Sequence, residues 1–518
     1  MNNIPNLCIG DVSPNGQVSI LDEDRLSYSV LNNSKGAVGI RTISKSLLNE
    51  FIGYIIEHPD NTPTEVRNEL CGRTKIDKFE YGYASTLCIM AQMAISKRNA
   101  YITDKSNENQ NRLSPDDISY ISAIKTKPFV ILGGFSGTGK SQKVKELAFA
   151  TCPNNSHLRT SETTPGNYLL LSVKPNWHDA TEITGFRSSV NRNYYVTDFM
   201  RFLIKAMHFP NVPFFVCLDE MNLAPVEEYF ADFLSVIESR KKTSSGQIVT
   251  DAIIPASVFN EEYNDNFCIF DCLGFERMDR GMTDDGLHET LLGKFIRIDL
   301  INKIKRDGLT IPSNVIIIGT VNMDDTTNSF SRKVIDRAMT FETVVGKFGE
   351  EYFNSDVALN YVKNPLKGEL FLSDEVRATQ MIDEGRFILT KEEQTKILNF
   401  INDINEDLDG SPFKISYRIL NETILLYRSK KRIAEIMKDE DGLADGVEFK
   451  TDLNTIFDDI LMQKVLPRIE GDYEKCSKCL NKLSSRADNN DWKKSYDKIE
   501  FMIKRFGSDR SGFTSFWN

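Results

Sequence analysis

Four short apolar runs mark the middle of the chain: 129–132 (FVIL), 168–173 (YLLLSV), 213–218 (PFFVCL) and 314–320 (NVIIIGT). Unbroken runs of this length, rich in β-branched and aromatic residues, predict strands covered on both faces, as in a parallel sheet. Segments of helical period alternate with them. Val144, Leu147 and Ala148 share one face after the first run, and 194–207 has an amphipathic pattern. Over 225–240, Tyr229, Phe233, Val236 and Ile237 make an apolar side. The alternation predicts an α/β core.

The flanks differ. Residues 1–28 predict short strands or irregular structure. From Ile43 the apolar positions Leu47, Leu48, Phe51, Ile52, Ile55 and Ile56 recur at helical spacing, up to His58-Pro59-Asp60-Asn61. Thr62, with Pro63 and Glu65 behind it, predicts a second helix to Leu70, and 78–96 a third. Ser114-Pro115-Asp116-Asp117 predicts the cap of a helix leading into the first core strand. Turn-rich, acidic stretches make 248–307 an insertion or a set of long loops. Helical patterns then fill 376–383, 391–403, 417–427, 432–438 and 453–466. The resulting division is a small, mostly helical module over 1–112, an α/β core over 113–344, a helical region over 345–480 and a helical tail over 481–518.

Composition narrows the class. The chain has 518 residues, 40% hydrophobic and 26% charged, and no apolar run approaches the roughly 20 residues needed to cross a bilayer. Nine cysteines without a paired framework, and no leader-like start, predict a reducing cytoplasm and no membrane partner. The net charge of −11 argues against coating nucleic acid over the whole surface, while leaving a local DNA contact through the amino-terminal module or a pore loop open.

The chemistry sits at the ends of the apolar runs. After the first comes GGFSGTGKS, which fits G-x-x-x-x-G-K-[ST] at Gly134, Gly139, Lys140 and Ser141. Glycines let successive backbone N–H groups turn inward onto phosphate oxygens, and the following helix adds its positive end. Ser136, Gly137, Thr138 and Gln142 belong to the same wrap. Lys140 would reach the β- and γ-phosphates and Ser141 would ligate Mg2+. The third run ends in Asp219-Glu220: the first carboxylate suits the metal, the second a water attacking the γ-phosphate. Two acids capping the next helix is the bland account of that pair. The fourth run ends at Asn322, placed to touch the γ-phosphate or that water. Arg332 and Arg337 follow and are candidates for an arginine finger in a neighbouring copy; a solvated helix face explains either equally well. Helices beyond the core predict a lid, with Arg418 able to reach the phosphates.

Other chemistries are weaker. Cys476 and Cys479, with Cys268 and Cys272, have a zinc-like spacing, but the first pair lies in a helical pattern. The histidines at 58, 157, 178, 208 and 288 form no metal-spaced pair, and no nuclease cluster is evident.

Taken together, GGFSGTGKS, VKPNWHD (173–179), LDEMNLAPVEEYFADFLSVIESR (218–240), IGTVNMDD (318–325) and SRKVIDRA (331–338) resemble the McrB family of AAA+ NTPases. SYRILNETI (416–424) and MQKVLPRIEG (462–471) resemble its lid segments, so the likeness spans about 127–471. It implies an AAA+ α/β domain with a helical lid, a hexameric ring, Mg2+, hydrolysis of GTP in preference to ATP, and a McrC-like partner carrying the nuclease. By motif, Asn322 and Asp325 match the family's Asn-x-x-Asp signature. The chain departs from it at Thr326, where an arginine often stands, and at Met339-Thr340, where the family has an arginine cluster. The leading expectation is a motor subunit of a McrBC-like anti-phage restriction system. The alternatives are a MoxR-like protein-remodelling ATPase and a slow, nucleotide-gated defence scaffold.

Overall fold

A computed structural model describes 12–13, 16–21, 25–31 and 38–44, then 113–190, 193–260, 269–273, 288–289, 295–296, 298–323, 330–343, 359–438, 451–507 and 512–517. The chain divides into two units, 1–110 and 111–518.

In the first unit the described residues form one antiparallel sheet of β1 (Val12–Ser13), β2 (Gly16–Leu21), β3 (Arg25–Leu31) and β4 (Val38–Ser44), in that order. Ile43, whose spacing predicts the start of a helix, instead pairs with Leu26 across β3 and β4. Its β-branched neighbours Val38, Ile40 and Thr42 suit a pleated strand. The helical pattern from residue 45 onward lies outside the described residues.

The second unit opens on α1 (Pro115–Thr126), where Ser114 and Asp117 close a capping box: each backbone N–H donates to the other's side chain at 3.1 Å. The chain then runs β5 (Phe129–Gly134), α2 (Lys140–Thr151), β6 (Tyr168–Ser172), α3 (Asp198–His208), β7 (Phe214–Asp219), α4 (Ala231–Glu238), β8 (Val315–Asn322) and β9 (Met339–Thr343). The five strands make one parallel sheet in the order β9-β5-β8-β7-β6. β5 is buried throughout and β8 is buried up to Asn322, because each has strands on both sides. β6 forms an edge and is half exposed. Phe129, Phe214, Phe215, Tyr229, Phe230 and Phe233 are fully buried around the sheet, with Phe230 stacked on Phe233 at 4.8 Å.

Three segments depart from the pattern. Tyr194–Tyr195 pairs antiparallel with Phe186–Arg187, and the helix starts only at Asp198, where Thr197 accepts from the Met200 N–H. The apolar side over 225–240 belongs to two pieces, Val226–Tyr229 and α4, broken at Phe230. Within 248–307, Ala252–Ile254 pairs with Leu309–Thr310 and a helix covers Ile298–Asp307; much of the remainder lies outside the described residues.

The carboxyl-terminal part contributes α5 (Lys391–Asp407), α6 (Tyr417–Lys438), α7 (Leu453–Ile460), α8 (Tyr473–Asn489) and α9 (Lys493–Lys504). After α7 the helix widens at Leu461–Val465 and then tightens at Leu466–Arg468, where Pro467 lacks a backbone donor. These helices are tied into the core. Thr126 on α1 meets Ser429 on α6 at 3.0 Å, and buried Lys430 pairs with Asp459 at 2.5 Å. Phe513–Ser515 pairs with Glu470–Asp472, which places Trp517 against Gly133 of β5 and Phe330.

Candidate active site

β5 delivers the chain to Gly134, and α2 begins at Lys140; between them Phe135, Ser136, Gly137 and Gly139 are exposed. Gly139, the residue capping α2, has φ +76, a left-handed conformation that favours glycine. Gly134 has no space for a side chain, since a Cβ there would lie 2.1 Å from the Thr343 hydroxyl of β9. The Lys140 ammonium turns into the loop and donates to the carbonyls of Gly134 (2.9 Å) and Phe135 (2.6 Å). Thr138 is braced by Phe135 O and Thr343, both at 2.9 Å, and Gln142 is exposed.

β8 separates β5 from β7, so the carboxyl ends of three adjacent strands meet here, the usual place for a ligand in an open α/β sheet. Ser141 donates to the Asp219 carboxylate, and Thr320 of β8 donates to the same oxygen at 2.8 Å. Thr320 also accepts the Glu220 N–H at 3.0 Å, which links the two acidic residues through one hydroxyl. Glu220 is exposed and sits in the left-handed region at φ 52, uncommon for a residue with a Cβ and a mark of functional positions. The Asn322 amide donates to its Oε1 at 2.8 Å, and Asn222 donates to the Asn322 carbonyl at 3.2 Å. Two residues before Asp219 on β7, burial pushes the Cys217 thiol up to about 12, leaving it a packed, inert neighbour.

Gly134, Lys140, Ser141, Asp219, Glu220 and Asn322 are thus brought together. Asp325 lies outside the described residues. Thr320 and Asn222 were missed by the sequence reasoning; a lone threonine inside the apolar run of β8 was the available signal. The three arginines are elsewhere. β9 runs parallel to β5 with Met339 beside Val130 and Thr343 beside Gly134. The four steps between them span roughly 13 Å, so Arg337, before Met339, lies at the opposite edge of the sheet. It approaches Glu238 there at 3.9 Å. Arg418 also binds Glu238, at 2.8 Å, beside Lys127 at the start of β5. Here Arg418 therefore pairs with a carboxylate beside the start of β5, away from the phosphate loop. Arg332 stacks over Phe413 at 4.9 Å and donates to the Pro412 carbonyl at 2.7 Å.

A nucleoside triphosphate with Mg2+ fits these residues. The loop presents an ammonium among its own carbonyls, and a hydroxyl and a carboxylate in contact supply the hard oxygen donors that Mg2+ takes. Of the zinc-like cysteines, Cys268 lies outside the described residues. Cys476 and Cys479 are buried on α8, burial pushes the Cys476 thiol up to about 12, and Cys479 donates to the Cys476 carbonyl. Among the described residues no group of three or more His, Cys, Asp and Glu is arranged to hold a metal, and no helix is long and apolar enough to cross a membrane.

Comparison with known proteins adds the following. A family model described as a domain of unknown function (DUF8727) matches 372–511, which covers the carboxyl-terminal helices. No curated protein matches the chain. Among solved structures the chain is similar to a candidate ATPase from Cytophaga hutchinsonii, with 12% identity over 70% of this chain and 94% of that one, and a TM-score of 0.32.

Proposed function

We propose that the chain is a ring-forming AAA+ nucleoside triphosphatase, the motor subunit of a McrBC-like restriction system whose nuclease is a separate McrC-like chain. The observation that carries the catalytic part is the pair of contacts Ser141–Asp219 and Asn322–Glu220 at adjacent strand ends beside the phosphate loop. In this reading the loop N–H groups and the start of α2 hold the phosphates, and Lys140 swings from its carbonyls to the β- and γ-phosphates. Ser141 and Asp219 would hold Mg2+, which when bound would neutralise charge on the phosphate oxygens. Glu220, fixed by Asn322 and by its own backbone, accepts a hydrogen bond from the attacking water and polarises it.

The ring rests on the arginines. In this reading Arg332 or Arg337 serves the phosphates of a neighbouring copy, which fits the position of Arg337 near Glu238, at the edge away from its own loop. The carboxyl-terminal helices act as the lid. The choice of GTP and of the nuclease partner rests on the motif resemblance.

The test is turnover of GTP and of ATP by the purified chain, alone, with a McrC-like partner and with DNA. GTP hydrolysis stimulated by the partner is expected. Turnover of neither nucleotide in any mixture would overturn the proposal, and ATP turnover indifferent to partner and DNA would remove its restriction-system part.

A further inference from the structure

Arg240, two residues beyond α4, is buried at 9% exposure. Its Nη2 is closed off from solvent and donates to nothing among the described residues. Burial lowers its titration to about 10, so the guanidinium keeps its charge at neutral pH, and no carboxylate among the described residues pairs with it. Arginine cannot escape by shedding its proton, and an unpaired charge taken out of water is costly. The carboxyl end of α4 lends some negative potential but accepts no hydrogen bond from this side chain.

A cavity of about 20 Å3 adjoins Arg240, walled chiefly by Pro128, Ile237, Ile311 and Val315, with the Thr250 hydroxyl also on its lining. That hydroxyl is already engaged with the backbone of Asp251 and Ile311. A space of this size has room for one water or one monatomic ion. A water would satisfy the open N–H but leave the charge. A halide does both. The cavity lies at the starts of β5 and β8, the far edge of the sheet from the phosphate loop, so it is distinct from the proposed triphosphate site.

We propose that Arg240 binds one small monovalent anion, chloride under ordinary conditions, which fastens the end of α4 to the starts of β5 and β8. The test uses the full chain in two arms. In crystals soaked in sodium bromide, an anomalous peak within hydrogen-bonding distance of Arg240 Nη2 is expected. In thermal unfolding at constant ionic strength, replacing gluconate by chloride should raise the midpoint saturably, because a ligand of the folded state stabilises it by mass action. Arg240→Met should erase that dependence. No bromide at Arg240, or equal midpoints in the two salts for the unaltered chain, would overturn the proposal. Neither of these measurements depends on whether Arg240→Met folds.

Discussion

Glu220 is held by both its side chain and its backbone, and both holds come from β8. Asn322 fixes the carboxylate and Thr320 fixes the N–H. On the proposed chemistry, Glu220→Gln should bind nucleotide normally and lose turnover by about 100-fold or more, the size of a general-base contribution; steady-state rates with a parallel binding titration check this. Lys140→Ala should lose binding itself, and unchanged affinity for both GTP and ATP would remove the phosphate-loop assignment. Thr320→Val is the more particular case. The substitution keeps the shape but strands the Glu220 N–H and drops one donor from Asp219, at a cost of about 1–3 kcal/mol in the folded state. Denaturant unfolding should show that loss, and the Mg2+ concentration for half-maximal turnover should rise as well.

Among the elements, α5 offers a pH test. Thr390 caps it, and its N–H and hydroxyl both bind the Glu393 carboxylate. Burial works against that charge, but hydrogen bonds from Tyr427 and Thr390 outweigh it and hold the carboxyl at about 2, down from an ordinary 4.5. A depressed folded-state value means that the stability it contributes is complete above pH 4.5 and is lost as pH falls toward 2. Glu393→Gln should therefore flatten part of the acid limb of an unfolding curve between pH 5 and pH 2. Thr390→Ala should cost about 1 kcal/mol near neutrality.

These local signals were legible in the sequence for a physical reason. A cap, a glycine turn or a buried strand is written within a few neighbouring residues, so α1, β5, β7, β8 and the phosphate loop were recoverable. What was not recoverable depends on distant partners. Tyr194 opens a stretch, 194–207, with an amphipathic helical pattern, yet its strand pairing with Arg187 decides its conformation. Ile43 goes to a strand because Leu26 lies across from it. Arg418 pairs with Glu238, 180 residues earlier in the chain, and no local pattern indicates that partner. Trp517 is the furthest case, because nothing local to it indicates that it packs under the loop strand.

For the whole molecule, the position of Arg337 makes a prediction about mixtures. If each site is completed by the next copy, Glu220→Gln and Arg337→Ala should each be inactive alone. Combined, they should regain part of the turnover, because some interfaces then carry an intact Glu220 opposite an intact Arg337. Mixed samples that stay as inactive as the separate variants would mean that each chain acts alone. The carboxyl-terminal strand reaches across the unit in a different way. A methyl group added at Gly133 would meet the Trp517 ring at 2.9 Å and the end of Met323, the residue after Asn322, at 2.7 Å. Gly133→Ala should accordingly cost about 1–3 kcal/mol and should cost less once Trp517 is Leu. The indole thus forms a floor beneath the loop where phosphate is expected to sit. Shortening the chain from its carboxyl end, one residue at a time, would loosen the catalytic loop before it unravelled a single helix.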